Sequence, residues 1–238
     1  MFDEQPKLKT NLDTDFLKLI AVVSMLIDHI GGALFPQYPV FRWLGRLAFP
    51  IFCYCLTVGM LYTRDIKKYL LRLGVFALIS QPFWILAFNA DDFMGNLLNF
   101  NIFFTLVVTL AATWGFKEKK WLLFAGALLL LALVNFDYSV NGLILTLIFY
   151  LCRNKPWLGA SLYTVNYLPA LWLGDLADPL ALKIGGWAVG FEFFSLLALP
   201  LIFLPTHTGV KINKWFFYAF YPAHLLTIYL ISLLPLQF

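Results

Sequence analysis

Apolar runs recur along this chain from Phe16 almost to its last residue, separated by short basic clusters and by no long polar stretch. About 20 apolar residues in an α-helix cross roughly 30 Å of hydrocarbon, where only helices and closed barrels satisfy every backbone polar group. Of the 238 residues, 61% are hydrophobic and 13% charged, whereas soluble domains carry about 25% charged residues. The chain therefore reads as a multi-pass integral protein of the cytoplasmic membrane, an all-α helical bundle forming one domain over 1–238. Nine spans are predicted, at 16–35, 45–62, 69–88, 98–116, 121–135, 138–152, 157–173, 186–204 and 215–236.

Charge gives this bundle a direction. With alternate connections on alternate sides, 14 of the 17 Lys and Arg residues fall on the side of the N-terminus, beginning with Lys7, Lys9 and Lys18. Only Arg42, Arg46 and Lys183 fall on the other. The excess of basic residues on the cytoplasmic side places the N-terminus in the cytoplasm and the C-terminus outside. The net charge of +4 then reflects cytoplasmic loops, and no nucleic-acid partner is expected. The first span has acidic as well as basic residues on its flank and no small-residue cleavage site after it, so it is expected to be retained. Cys53, Cys55 and Cys152 lie in apolar runs without ligand spacing, which argues against a disulfide framework and against a metal site.

The run "LIAVVSMLIDHIGGALF", residues 19–35, is interrupted by Asp28 and His29. A charge at that depth costs about 2.5–3.5 kcal/mol on insertion scales, so both groups need partners or a function. The predicted orientation brings other polar residues to the same outer level: Arg42 and Arg46 beside the second span, Asn99 and Asn101 at the fourth, Asp137 and Asn141 at the sixth, and Glu192 in the eighth. Neighbouring helical residues point about 100° apart, so Asp28 is expected to pair with Arg46 or Arg42 and His29 to face a cavity. An imidazole with an unperturbed pKa of about 6.5 suits general-base chemistry, and it equally suits an interhelical hydrogen bond. Glu192 fits either a catalytic role or an ion pair with Arg42 or Arg46 that fixes helix packing. On the inner side, Arg64, Lys67, Lys68 and Arg72 form a cluster able to hold phosphates, although topology alone also asks for basic residues there. Tyr218, Tyr221 and His224 share one broad face of the last span beside Pro222.

The motifs "IDHIG", "GRLAFPIF" and "FYAFYPAH", in this order, resemble the TraX family of membrane proteins, and the likeness extends over nearly the whole chain. TraX acetylates the N-terminus of F-type pilin, and the family is similar to a wider group of transmembrane acyltransferases that use cytosolic acetyl-CoA. The resemblance implies an acetyl-CoA-dependent acetyltransferase with His29 as the catalytic base, assisted by Asp28 and Arg46. It assigns Arg64, Lys67, Lys68, Arg72, Tyr218, Tyr221 and His224 to the acyl donor, and Glu192, Asn101 and Asn141 to the acceptor. A break in the chain beside Gly31 and Gly32 is expected to open the site. The acceptor, a peptide, a glycan or a small amine, is left open, as is homo-oligomerisation within the lipid. The rival readings are a proton-coupled transporter built on the same His, Asp, Glu and Arg layer, and a non-catalytic scaffold.

Overall fold

The computed structural model describes residues 8–234; Lys7 and the end of the predicted ninth span, 235 and 236, lie outside the described residues. The described chain is mostly helical, with α1 (Thr14–Ala33), α2 (Val40–Gly45), α3 (Ala48–Tyr62), α4 (Ile66–Asn89), α5 (Ile102–Lys117), α6 (Trp121–Leu133), α7 (Ser139–Leu151), α8 (Pro156–Tyr167), α9 (Leu199–Phe203) and α10 (Lys214–Ser232). By length and composition, three stretches among the described residues are long and apolar enough to cross a membrane: Thr14–Ala33, Val40–Tyr62 and Ile66–Asp92. The 13-residue helices α6 and α7 are shorter, extending about 20 Å at about 1.5 Å per residue.

Three sequence expectations are corrected. Helix α1 runs unbroken through Gly31 and Gly32 to Ala33. Gly31 serves close packing instead, because a Cβ there would overlap Phe41. The predicted eighth span, 186–204, is not one helix: it contains strand β2 (Trp187–Val189), a 3-10 helix (Phe191–Ala198) and the short α9. Gly185, with φ of 60°, and Gly186 form a two-residue turn pairing β2 antiparallel with β1 (Leu182–Ile184), and Pro200 lies in the first turn of α9. The seventh span ends its α-helix at Tyr167 and tightens into a 3-10 turn, Leu168–Leu171, at Pro169.

The chain folds as two compact units. The described part of the first comprises residues 53–150 and 212–234. In it α4 packs against α10, with the rings of Phe76 and Tyr218 stacked at 5.0 Å. Ala112, Ala127, Leu131, Phe136 and Leu143 form a buried cluster between α5, α6 and α7. Lipid offers helices little hydrophobic reason to associate, so polar contacts add specificity. Here the hydroxyls of Thr113 and Thr146 lie 2.8 Å apart and Thr105 donates to the Asp137 carbonyl at 2.6 Å.

The second unit comprises residues 8–52 and 151–211 of those described. Its loop after α9 is fastened to the start of α1. Asn11 donates to the Leu201 carbonyl at 2.8 Å, while the Asp13 carboxylate accepts from both the amide and the hydroxyl of Thr208 at 2.7 Å. The Thr208 amide, then its hydroxyl, hold the Asp13 carboxyl below the usual carboxylate range. Strand β2 is braced on its outer side: the Trp187 indole donates to the Leu171 carbonyl at 2.8 Å and the Gly190 amide to Ala170 at 2.7 Å.

In the first unit, one amide stitches the loop before α5 to α4. Asn101 caps α5 by accepting from the Phe103 amide at 3.0 Å and donates to the Ala77 carbonyl and to Gln81 Oε1 at 2.9 and 2.8 Å. Asn101→Ala strands buried groups, with an expected cost of about 1–3 kcal/mol. The unfolding midpoint in detergent should fall accordingly, and Asn101→Ser, which retains a capping oxygen, should recover part of the loss.

Candidate active site

The second unit gathers charge around Asp28, near the C-terminal end of α1. Asp28 Oδ2 accepts from Arg42 at 2.5 Å and Oδ1 from Arg46 at 2.8 Å. Arg42 also reaches the Asp28 main-chain carbonyl at 3.3 Å, and Arg46 Nε donates to the Arg42 carbonyl at 3.3 Å. Both sequence-predicted partners thus bind the same carboxylate. Asp28 is 7% and Arg46 5% exposed, so the pair lies where an uncompensated charge costs several kcal/mol. On its other side the Arg46 guanidinium lies 4.9 Å from the Phe191 ring centroid and 3.8 Å from Glu192 Oε1.

Local sequence explains how three segments meet here. Gly45 has no side chain where Asp28 approaches, and a Cβ at that position would overlap the carboxylate. One turn earlier on α1, Ser24 donates to the Leu44 carbonyl. Trp43, between the arginines, stacks on Phe194 at 4.8 Å and donates its indole N–H to the Leu180 carbonyl at 2.7 Å. α1, α2 and the 180–194 segment are thereby joined around one carboxylate. Gly45 and Trp43 carry no chemistry in the sequence reading; their places within "FRWLGR" were the available signal.

His29 follows Asp28 on α1 and is half-buried. Both Asp28 oxygens are taken up by arginines, which leaves the imidazole as the neighbouring group of a type suited to proton transfer near neutral pH. The arginines supply fixed positive charge, suited to stabilising a developing oxyanion. A groove of about 500 Å³ lined by Asp13, Asp15, Thr206, His207 and Lys211 lies at the other end of α1, about 21 Å away at about 1.5 Å per residue. Its mixed charges favour no one ligand sign.

The remaining predicted residues belong to the first unit. Arg64, Lys67 and Lys68 are exposed at the start of α4, and Asp65 caps that helix by accepting the Lys68 amide at 3.0 Å. This bond holds the Asp65 carboxyl below the usual range. Arg72 turns inward, its guanidinium 5.8 Å from the Tyr69 ring and within reach of the Tyr218 hydroxyl. The Arg72 Nε is buried without a hydrogen-bond partner. Tyr221 packs on Phe103 at 4.7 Å. His224 stacks on Phe220, with Nδ1 2.8 Å from the Phe220 carbonyl, which fixes the proton on Nδ1. Asn141 lies in the first turn of α7, half-buried, and the side chain of Asn101 is committed to the α4 contact described above.

The ion cluster predicts a specific sensitivity. Gly45→Ala should displace Asp28 from its arginines, and Asp28→Asn should leave them short of a counter-charge; each is expected to cost about 3–5 kcal/mol. Gly74→Ala, at a position with open space around it, should leave the midpoint unchanged or slightly raised. Parallel unfolding curves in detergent check this ordering.

Comparison with known proteins places these features in a family. The family described as TraX protein matches residues 13–232. A probable fimbrial assembly protein, FimC, of Dichelobacter nodosus is 32% identical over 230 residues, covering 88% of this chain and 91% of the relative. An uncharacterized protein of Rickettsia prowazekii is 50% identical over 46 residues, covering 19% of this chain and 18% of its own length. No solved structure matches. By the extent of the family match, which includes the Asp28, His29, Arg42 and Arg46 constellation, the chain belongs to the TraX family.

Proposed function

We infer that the chain is a multi-pass acetyltransferase of the cytoplasmic membrane, taking acetyl groups from cytosolic acetyl-CoA to an amine or hydroxyl acceptor at the outer side. The observation that carries this reading is an imidazole, His29, one residue from a carboxylate immobilised by two arginines. The 14 to 3 division of basic residues supports a cytoplasmic N-terminus and an external C-terminus over nine crossings. The fimbrial role in the relative's description favours a peptide amine as acceptor.

In the reaction, the acceptor nitrogen attacks the acetyl carbonyl carbon while His29 takes a proton from that nitrogen. Arg46 stabilises the oxyanion of the tetrahedral intermediate. As the intermediate collapses, the carbon–sulfur bond breaks and the proton passes from His29 to the departing thiolate, giving an acetylated acceptor and free CoA. Asp28 takes no proton; it holds Arg42 and Arg46 in place. On the donor side, the buried Arg72 Nε without a partner suits a phosphate oxygen, with Lys67 and Lys68 adding charge nearby.

Two experiments test these roles. His29→Ala should lower acetyl transfer, or slow acetyl-CoA hydrolysis where no acceptor is supplied, by about 10²–10⁴-fold with acetyl-CoA binding and unfolding midpoint unchanged. Substantial turnover in that variant would remove His29 from the chemistry and make His224 the candidate base. For the donor, neutralising Arg72 together with Lys67 or Lys68 should weaken acetyl-CoA binding and flatten its salt dependence. An unchanged Kd and salt slope would assign these residues to topology alone.

A further inference from the structure

The β-hairpin of the second unit has one closed edge and one open one. Its two-residue turn makes Ile184 and Trp187 a hydrogen-bonded pair, so Lys183 and Ala188 form a non-hydrogen-bonded pair whose backbone groups point away from each other. On the β2 side, the Ala188 carbonyl meets Gly174, where a Cβ would overlap it, and the neighbouring Gly190 amide is bonded to Ala170. On the β1 side, Lys183 and Ile184 are exposed, and among the described residues no backbone hydrogen bond joins Lys183 to another segment. The open edge also leads toward the ion cluster. Leu180, just before β1, receives the Trp43 indole, and Trp43 stands between Arg42 and Arg46. The 3-10 helix after β2 carries Phe191 and Glu192 to Arg46.

We propose that the free edge of β1 captures the acceptor as an extended peptide, the backbone N–H and C=O of Lys183 pairing with it as an added strand. Main-chain pairing of this kind binds a peptide with little demand on its sequence, and side-chain contacts supply selectivity. The inference rests on the transferase reading for its direction. A free α-amine has to arrive at His29 and Arg46, so the peptide lies parallel to β1 with its N-terminus at the Leu180 end. Lys183 is three residues beyond Leu180, about 10 Å at about 3.3 Å per residue, so the leading residues extend past the paired segment toward the arginines. Charge suits this polarity: the Glu192 side chain beside Arg46 is 42% exposed, so a carboxylate stands at the cluster to receive an ammonium end.

The test uses detergent-purified full-length protein and two synthetic octapeptides of alternating Thr and Val, fluorescent at the C-terminus and free at the N-terminus. One has ordinary amides and the other is N-methylated at each internal amide. Fluorescence anisotropy should give the ordinary peptide about fivefold or more tighter binding than the methylated one, because methylation removes the peptide N–H that the Lys183 carbonyl accepts and adds bulk at the edge. Lys183→Pro removes the outward N–H, which donates to a peptide carbonyl, without touching the β1–β2 pairing, and should weaken binding of the ordinary peptide by a similar factor. Equal binding of the two peptides to the natural protein, or an ordinary-peptide affinity unchanged in Lys183→Pro, overturns the proposal; the first comparison needs no variant to fold. Acetylation is followed separately by mass spectrometry. Edge-dependent binding without acetyl transfer keeps the edge and removes the transferase reading; transfer to both peptides alike does the reverse.

Discussion

A carboxylate held by two guanidinium groups in apolar surroundings is the constraint on which the second unit depends. Neither Asp28 nor Arg46 is tolerable there alone, since removing one partner of a buried pair exposes the other to the full desolvation penalty. The demand propagates through sequence. Position 45 has to be glycine for the carboxylate to approach, α2 has to stop at Gly45 for Arg46 to turn inward, and the 180–194 segment has to pack on Trp43 and Arg46 to close the cluster. His29, the next residue on α1, lies beside this fixed arrangement of charge.

The first unit solves a related problem with neutral groups. Carboxamides of Gln81 and Asn101 and the hydroxyls of Thr113 and Thr146 join helices through hydrogen bonds that carry no net charge. Such contacts are modest in energy, yet they set register between helices whose apolar faces are otherwise interchangeable. Arg72 is the exception, a cation turned inward on α4 with one donor unused. Its unused donor distinguishes Arg72 from Arg64, Lys67 and Lys68, which are exposed at the start of the same helix.

What could be read from the sequence follows from how local each signal is. The pairing of Asp28 with an arginine was legible because a buried carboxylate has few alternatives; that it takes both Arg42 and Arg46 was not, because sequence does not give the path of the chain between α1 and α3. The helices of the first half lie close to their predicted spans, where apolar length is a sound guide. The 186–204 prediction failed because averaged hydropathy hides the Gly185-Gly186 turn and the early Pro200, both visible residue by residue. Gly31 and Gly32 were read as a break when one of them provides a close approach, two uses of glycine that only the neighbouring chain distinguishes. Asn101 had a legible capping signature ahead of Ile102-Phe103, although its donation to α4 needed the fold.

The contact between Arg46 and Glu192 has a consequence for charge balance. Two arginines and two acids sum to zero, but the four are not equally bound: Asp28 is gripped at 2.5 and 2.8 Å, whereas Glu192 stands 3.8 Å away, beyond hydrogen-bonding distance, with its side chain 42% exposed. Glu192 is therefore an exchangeable counter-ion. Its contact with Arg46 is the one in the cluster that another anion could replace without disturbing Asp28, and such a replacement conserves neutrality at that point.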